Sequence, residues 1–135
     1  MSRSCYDDDL DQWDLIRWRG AVAAAIRGTR GQEMLHGLVS ALDAMPVKAL
    51  IRDQLIDEVG QVCALGALGV ACQRTDDMRK VDPEDYEQVA RFFKVSECLA
   101  REVQYVNDEL SFGESPVARW RRVRAWAESQ ILAEG

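Results

Sequence analysis

The sequence is poor in the features that mark membrane and secreted proteins. No apolar run among its 135 residues approaches the ~18–20 residues that a membrane-spanning helix needs. The start of the chain carries several aspartates and lacks the apolar segment of a secretory signal. We therefore expect no membrane association and a location in the cytoplasm.

Cysteine and histidine are also scarce, and they are badly spaced for a metal site. The four cysteines are Cys5, Cys63, Cys72 and Cys98, and His36 is the single histidine. Zinc sites usually contain a pair of cysteines two to four residues apart, whereas the closest pair here, Cys63 and Cys72, is farther apart. A reducing compartment disfavours disulfides. We predict buried thiols, no metal and no cofactor.

What the chain does contain is typical of one globular domain. Hydrophobic residues make up 47% of the sequence and charged residues 30%, both ordinary values for a folded domain. There is no internal repeat and no linker rich in proline, glycine or serine. We predict a single domain over residues 1–135, with residues 1–9 loosely packed.

Charge is distributed in blocks along the chain. The formal net charge is −6, yet residues 16–31 contain four arginines and no acidic residue, while residues 81–115 contain nine acidic and three basic residues. A net-acidic protein binds nucleic acid poorly in general, because affinity for a duplex comes mainly from neutralised phosphates. The arginine blocks could bind an anion locally, or they could pair with the protein's own carboxylates.

Hydrophobic spacing predicts a mainly α, compact bundle of about five or six short helices. Apolar residues recur at helical spacing from about Leu10 to Arg27, on enough sides to predict burial, and again from about Arg30 to Ala44. Between these helices, Gly28 is expected to end the first one in a left-handed conformation, and Thr29 with Gln32 has the form of a capping box.

The middle of the chain is ambiguous by the same criteria. Residues 48–64 could form a helix or a small β-hairpin, because periodicity does not distinguish these alternatives in short apolar runs. From about Val62 we favour a helix in which Gly66 and Gly69 permit close packing of a neighbouring backbone.

The second half has clear signals for helix starts. Asp82 is predicted as an N-cap with Pro83 in the first helical position, Ser96 as the next N-cap, and Ser115 with Pro116 as the start of the last helix.

The segment YEQVARFFKVSECLAREV resembles a helix-turn-helix DNA reader in its spacing. It departs from that pattern at Lys94, where the turn usually requires glycine, and its second helix carries Glu97, Glu102, Asp108 and Glu109. A recognition helix should present basic and amide groups to DNA. An ordinary helical hairpin is therefore the favoured interpretation.

Two carboxylates in YVNDE, Asp108 and Glu109, are candidates for binding a partner. Paired carboxylates can also perform acid–base chemistry, but adjacent residues of a helix point about 100° apart and do not converge unaided. His36 lies at the edge of an apolar helix face, which is typical of a packing residue. The sequence shows no catalytic constellation, and we expect that the chain is not an enzyme.

The arginines of RWRGAVAAAIRGTRGQ are candidates for an anion site. Arg17 and Arg19 lie about 200° apart on the helix, so the arginines do not share one surface. Arg27 and Arg30 flank the start of the second helix, where free N–H groups and the helix dipole favour an anion. Internal ion pairs are the preferred interpretation over an external ligand.

The last helix carries a second basic cluster in RWRRVRAW. Arg119 and Arg122 are expected to flank its outer face, with Trp126 at the border of the buried stripe. Arginine beside an exposed tryptophan is typical of a protein-binding hot spot.

Several segments together resemble a group of small proteins encoded by tailed phages and prophages of proteobacteria. These segments are QWDLIRWRGAVAAAIRGTRGQ, ALDAMP, VCALGALG, YVNDE and RVRAW, and they extend over nearly the whole chain. The resemblance implies a phage-encoded protein that acts in a bacterial cytoplasm. It implies no catalytic or binding residue, because the group has no established activity.

These observations lead to two hypotheses of function. The first is a non-enzymatic accessory protein that binds a host or phage macromolecule, most concretely a protein partner in a host defence complex that it inhibits in the manner of anti-CRISPR proteins. The second is a small nucleic-acid-binding regulator that uses the arginine clusters. A homodimer is compatible with either hypothesis.

Overall fold

The computed structural model describes residues 12–109 and 113–133. Over these ranges the chain forms seven helices: α1 (Gln12–Arg27), α2 (Thr29–Ala44), α3 (Ala64–Ala71), α4 (Thr75–Met78), α5 (Tyr86–Phe93), α6 (Glu97–Asp108) and α7 (Pro116–Ser129). The predicted mainly helical, compact fold is confirmed. The count exceeds the expected five or six because α4 is a single turn of four residues, too short to produce a periodic pattern. The prediction for residues 1–9 lies outside the described residues.

Helix α6 occupies the centre of the bundle. It contacts α1, α3, α5 and α7, and its apolar residues at helical spacing, Leu99, Val103 and Val106, are buried. The other main contributor to the core is α2, whose buried residues include Leu35, Leu38 and Leu42. Burial of these two apolar stripes against their neighbours supplies the main driving force for folding.

Two of the predicted helix starts are confirmed in atomic detail. The Ser96 hydroxyl oxygen accepts a hydrogen bond from the backbone N–H of Leu99 at 3.3 Å, and Ser115 does the same for Ala118 at 3.1 Å. Each serine thereby satisfies one of the N–H groups that a helix N-terminus leaves without an intrahelical partner.

The predicted start at Asp82 is wrong by three residues. Helix α5 begins at Tyr86, and its N-cap is Asp85, whose side chain accepts from the backbone N–H of Gln88. Pro83 therefore precedes the helix. Two aspartates within one turn offer equivalent capping groups, and local sequence does not show which of them is used.

The corner between α1 and α2 also differs from the prediction. Gly28 is extended, with φ −72° and ψ 162°, and it is the N-cap of α2, so it does not end α1 in a left-handed conformation. The side-chain amide of Gln32 donates to the carbonyl oxygens of Ile26 and Gln130, so no capping box with Thr29 forms. A tertiary contact to the C-terminal end of α7 has replaced the local one.

The segment from residue 45 to residue 63, called the extended segment below, is an irregular connection of bends and turns that contains neither a helix nor a strand. One isolated antiparallel bridge joins Ile56 to Val62 around a turn in which Gly60 has φ +91°. The small hairpin considered for residues 48–64 is thus reduced to a single bridge, and the helical alternative for this region is wrong. The bridge lies directly before α3.

Glycine in α3 allows the close packing that the sequence predicts. A Cβ atom built on Gly66 would overlap the carbonyl oxygen of Leu55 and lie 2.9 Å from the Cβ of Val62. The extended segment can therefore run directly against α3 at this position.

Helix α1 is much more exposed than predicted. Only Val22 and Ile26 are buried on it, whereas Trp13 is 70% exposed and Ile16 is 53% exposed. The expectation of burial on several sides is therefore wrong for the first half of the helix. Among the described elements, α1 packs mainly against α2 and α6, which cover one side.

None of the helices in residues 12–109 and 113–133 combines the length and the hydropathy required to cross a bilayer.

Candidate functional site

The carboxylate candidate Asp108 belongs to a buried polar network. Its Oδ1 atom accepts from the backbone N–H of Asp53 at 3.2 Å and from the amide of Asn107 at 2.7 Å. Asn107 in turn accepts from the backbone N–H of Ala64 at 3.0 Å and donates to the carbonyl oxygen of Ile51 at 2.9 Å. These side chains attach the extended segment and the start of α3 to α6.

Asp108 and Glu109 do not form a shared acidic site. Asp108 is 6% exposed, whereas Glu109 is exposed and lies at the C-cap of α6. Consecutive helical positions have directed one carboxylate into the protein and the other toward solvent. The geometry agrees with the expectation that the two carboxylates do not converge.

The expectation that Arg119 and Arg122 flank the outer face of α7 is wrong. Arg119 is only 5% exposed and donates to the carbonyl oxygen of Leu50 at 2.9 Å. Arg122 binds both carboxylate oxygens of Glu114, at 2.8 and 2.9 Å, and also donates to the carbonyl oxygen of Val106. The hydrogen bonds from Arg122 lower the pKa of the Glu114 carboxyl below its ordinary value of 4.5.

Arg124 of the α7 cluster is likewise paired within the protein. Arg124 forms a two-pronged ion pair with Asp43, with contacts of 2.6 and 3.0 Å, and also contacts Glu128. Its hydrogen bonds lower the pKa of Asp43. Trp126 is half-buried and packs against the core, so it is not an exposed anchor.

The corner between α1 and α2 behaves differently. Arg27 and Arg30 are exposed, and within the described part of the chain neither has a carboxylate within 4.0 Å. Arg17 lies 4.0 Å from Asp14, with 77% of its side chain exposed, and such surface pairs contribute little. Internal pairing thus describes Arg119, Arg122 and Arg124 of α7. Arg27 and Arg30 have no such partner among the described residues, and the aspartates at the start of the chain lie outside them.

The start of α2 has only part of what was predicted for a local anion site. Its N-cap Gly28 offers no side-chain acceptor, but α1 packs against the first turn of the helix. Gly31 is buried, and a Cβ atom built on it would overlap the carbonyl oxygen of Ala25. The two exposed arginines lie on either side of Gly28. The structure therefore brings Arg27 and Arg30 to one helix terminus and buries Arg119, while the Arg122 side chain is 25% exposed and paired with Glu114.

The burial of α6 excludes the helix-turn-helix interpretation. Lys94 does adopt the left-handed conformation that such a turn uses, with φ 57° and ψ 43°. However, α6 would be the recognition helix, and seven of its residues are buried. A helix that forms the centre of the bundle does not enter a DNA groove.

The surface that sequence reasoning missed is an apolar cleft of about 670 Å³ beside the extended segment. It lies between the C-terminal end of α2, the segment 45–51, the turn at residues 59–62 and α3. Val47, Val59 and Val70 on its edge are 69%, 78% and 43% exposed. None of the described residues that line it carries a charge. The only sequence signal for this cleft was Val47, an apolar residue that follows Pro46 in a segment without helical periodicity.

A second concavity, of about 990 Å³, lies between α2, α3 and the α5–α6 turn. Its floor is apolar, but its edge carries both signs of charge, from Arg30, Arg74, Arg91 and Lys94 on one hand and Glu33, Glu87 and Glu97 on the other. The guanidinium of Arg74 stacks on the ring of Phe92 at 3.8 Å and donates to its carbonyl oxygen. Mixed charge and internal contacts make this groove a less distinct binding surface than the apolar cleft.

Among the residues that the structure describes, no cluster of histidine, cysteine, aspartate and glutamate could hold a metal ion. The buried Cys63 thiol has its pKa raised to about 12 by desolvation and is therefore a poor nucleophile at neutral pH.

Comparison of the chain with protein families, with curated proteins and with solved structures finds no match. The resemblance to small phage and prophage proteins stays a prediction.

Proposed function

We propose that this chain is a non-enzymatic binding protein that seats an apolar segment of a partner protein in the cleft between α2 and α3. The observation that carries the proposal is the uncharged lining of that cleft, with exposed Val47, Val59 and Val70 on its edge. Contiguous exposed apolar surface of this kind marks interaction sites, because it is unfavourable to leave in water.

The composition of the cleft favours a protein segment over a polar metabolite. Sites for small polar ligands contain a few converging polar groups that fix orientation, whereas glutamine is the single polar side chain among the described lining residues. The core of a protein interface is depleted of charge and receives an aromatic or aliphatic anchor. The cleft provides such a receptor, with one wall formed by α3.

The resemblance to phage proteins extends this proposal to the identity of the partner. The partner would then be a component of a host or phage complex, and inhibition of a host defence complex is its most concrete form. The net charge of −6 would speed encounter with a basic partner and orient docking, because complementary fields act before contact.

A photo-crosslinking residue at position 59 tests the proposal in the host bacterium. We expect one discrete crosslinked protein, and we expect Val47→Asp to reduce the crosslink at least tenfold, because burial of a carboxylate in an apolar site costs more than the ~1.4 kcal/mol that corresponds to a tenfold change.

Leu132→Asp is the matched control for this experiment. Leu132 is 48% exposed and adjoins Gln32 near the opposite end of α2, so its replacement should leave the crosslink unchanged. The absence of a crosslink at position 59, or equal losses in both variants, contradicts the proposal.

The exposed pair Arg27 and Arg30 favours one second candidate, a nucleic-acid-binding regulator. Two exposed guanidinium groups without an ion pair among the described residues suit a phosphate. In a gel-shift titration this function predicts binding at about 50 mM salt that weakens steeply as salt rises. Arg27→Gln with Arg30→Gln should abolish binding, while Arg121→Gln serves as an exposed arginine control. No binding at low salt excludes this candidate.

A further inference from the structure

The exposed face of α1 carries two large apolar side chains, Trp13 and Ile16, outside the two concavities. Six residues at helical spacing share this face and are all exposed, with Trp13 at 70% and Ile16 at 53%. The six are Trp13, Ile16, Arg17, Gly20, Ala24 and Arg27. Large apolar side chains next to a stripe of small residues form a flat surface on which another helix can pack.

Gly20 lies near the midpoint of α1, which extends from Gln12 to Arg27. Nothing lies within 4 Å of a Cβ atom built on it, so packing within the monomer does not require glycine here. Glycine inside a helix costs roughly 0.5–1 kcal/mol relative to alanine. The absent side chain instead permits another backbone to approach closely at the centre of the exposed face.

The spacing of the face around Gly20 is self-complementary. We propose that α1 packs antiparallel against α1 of a second copy of this chain, with the twofold axis beside Gly20. In this arrangement Trp13 meets Arg27 of the second copy, and Ile16 meets Ala24 of the second copy. Both pairs occur twice, as an isologous interface requires.

The chemistry of these pairs is favourable. The Arg27 guanidinium is exposed and lacks an ion pair among the described residues, and an arginine over a tryptophan ring contributes about 0.5–1 kcal/mol at exposed sites. The pairing of Ile16 with Ala24 places a large side chain opposite a small one. The centre of the interface is then apolar and its two ends carry the cation–π contacts.

The size of the face predicts a weak dimer. A helix of 16 residues is about 24 Å long, and one pair of such helices buries less than the roughly 1,200–2,000 Å² of a stable complex. We therefore expect monomer and dimer in equilibrium that shifts with protein concentration.

Sedimentation velocity of the full chain over a concentration series tests this equilibrium. We expect the mass to rise from that of a monomer to that of a dimer, and Ile16→Asp to weaken dimerisation at least tenfold. Val117→Asp is the control, since Val117 is 45% exposed on α7. A monomer at every concentration, or a dimer that survives Ile16→Asp, overturns the proposal.

Disulfide trapping distinguishes this interface from any other. In a background with Cys5→Ser, Cys72→Ser and Cys98→Ser, we expect Gly20→Cys to crosslink with itself. Ile16→Cys should crosslink with Ala24→Cys in a mixture and not with itself. Self-crosslinking of Ile16→Cys that exceeds crosslinking to Ala24→Cys would require a parallel pair and would overturn the antiparallel arrangement. Circular dichroism establishes that each variant retains its helices.

Discussion

Gly66→Ala is expected to lower the free energy of unfolding by about 3 kcal/mol or more. Overpacking of a core usually costs ~1–3 kcal/mol when side chains can shift. At Gly66 the added methyl group meets the backbone of Leu55, which is held in turn by its hydrogen bond with Cys63. The clash therefore displaces the whole extended segment and not a single side chain.

Urea denaturation followed by circular dichroism measures this loss. Gly20→Ala is the matched control, because the space around Gly20 is open and alanine is the better helix former. At protein concentrations low enough for a monomer, we expect this control to be slightly stabilising. If both variants have wild-type stability, the close contact between α3 and the extended segment is refuted.

Asn107→Ala is expected to cost about 2–4 kcal/mol, because it leaves buried backbone groups without partners. Asn107 is 1% exposed, and its amide satisfies the N–H of Ala64 and the carbonyl oxygen of Ile51. Each buried polar group that loses its partner costs roughly 1–3 kcal/mol. The variant should also loosen the segment that forms one wall of the apolar cleft.

Denaturation and amide hydrogen exchange together test both parts of this prediction. We expect the Ala64 N–H to exchange faster in Asn107→Ala, and partner crosslinking at position 59 to fall with it. Gln54→Ala removes an exposed amide from the same segment and should leave both quantities unchanged. Unaltered exchange at Ala64 would contradict the structural role assigned to Asn107.

The apolar cleft and the interior network explain why site prediction was only partly successful. Arg119 and Asp108 are charged residues on helices, and local spacing offered no reason to bury them. Their partners Leu50 and Asp53 are 69 and 55 residues away in the chain. The arginines were therefore interpreted as surface groups, whereas their hydrogen bonds satisfy the backbone of a segment that has no regular structure.

The cleft was missed for a related reason. Periodicity identifies a face only where the chain is helical or extended over several residues, and the lining comes from α2, α3 and an irregular segment. Exposure of Val47 and Val59 depends on how these three parts pack. Sequence patterns do not show directly how these parts pack together.

Local physical chemistry by itself determined the helical class, the apolar stripes of α2 and α6, and the caps at Ser96 and Ser115. Each of these follows from interactions between residues a few positions apart. Tertiary packing alone decided which arginines are buried and that half of α1 is left uncovered. Those outcomes depend on long-range contacts that compete with local preferences. The free-energy cost of leaving a buried backbone group without a hydrogen-bond partner outweighs the tendency of a charged side chain to remain in water.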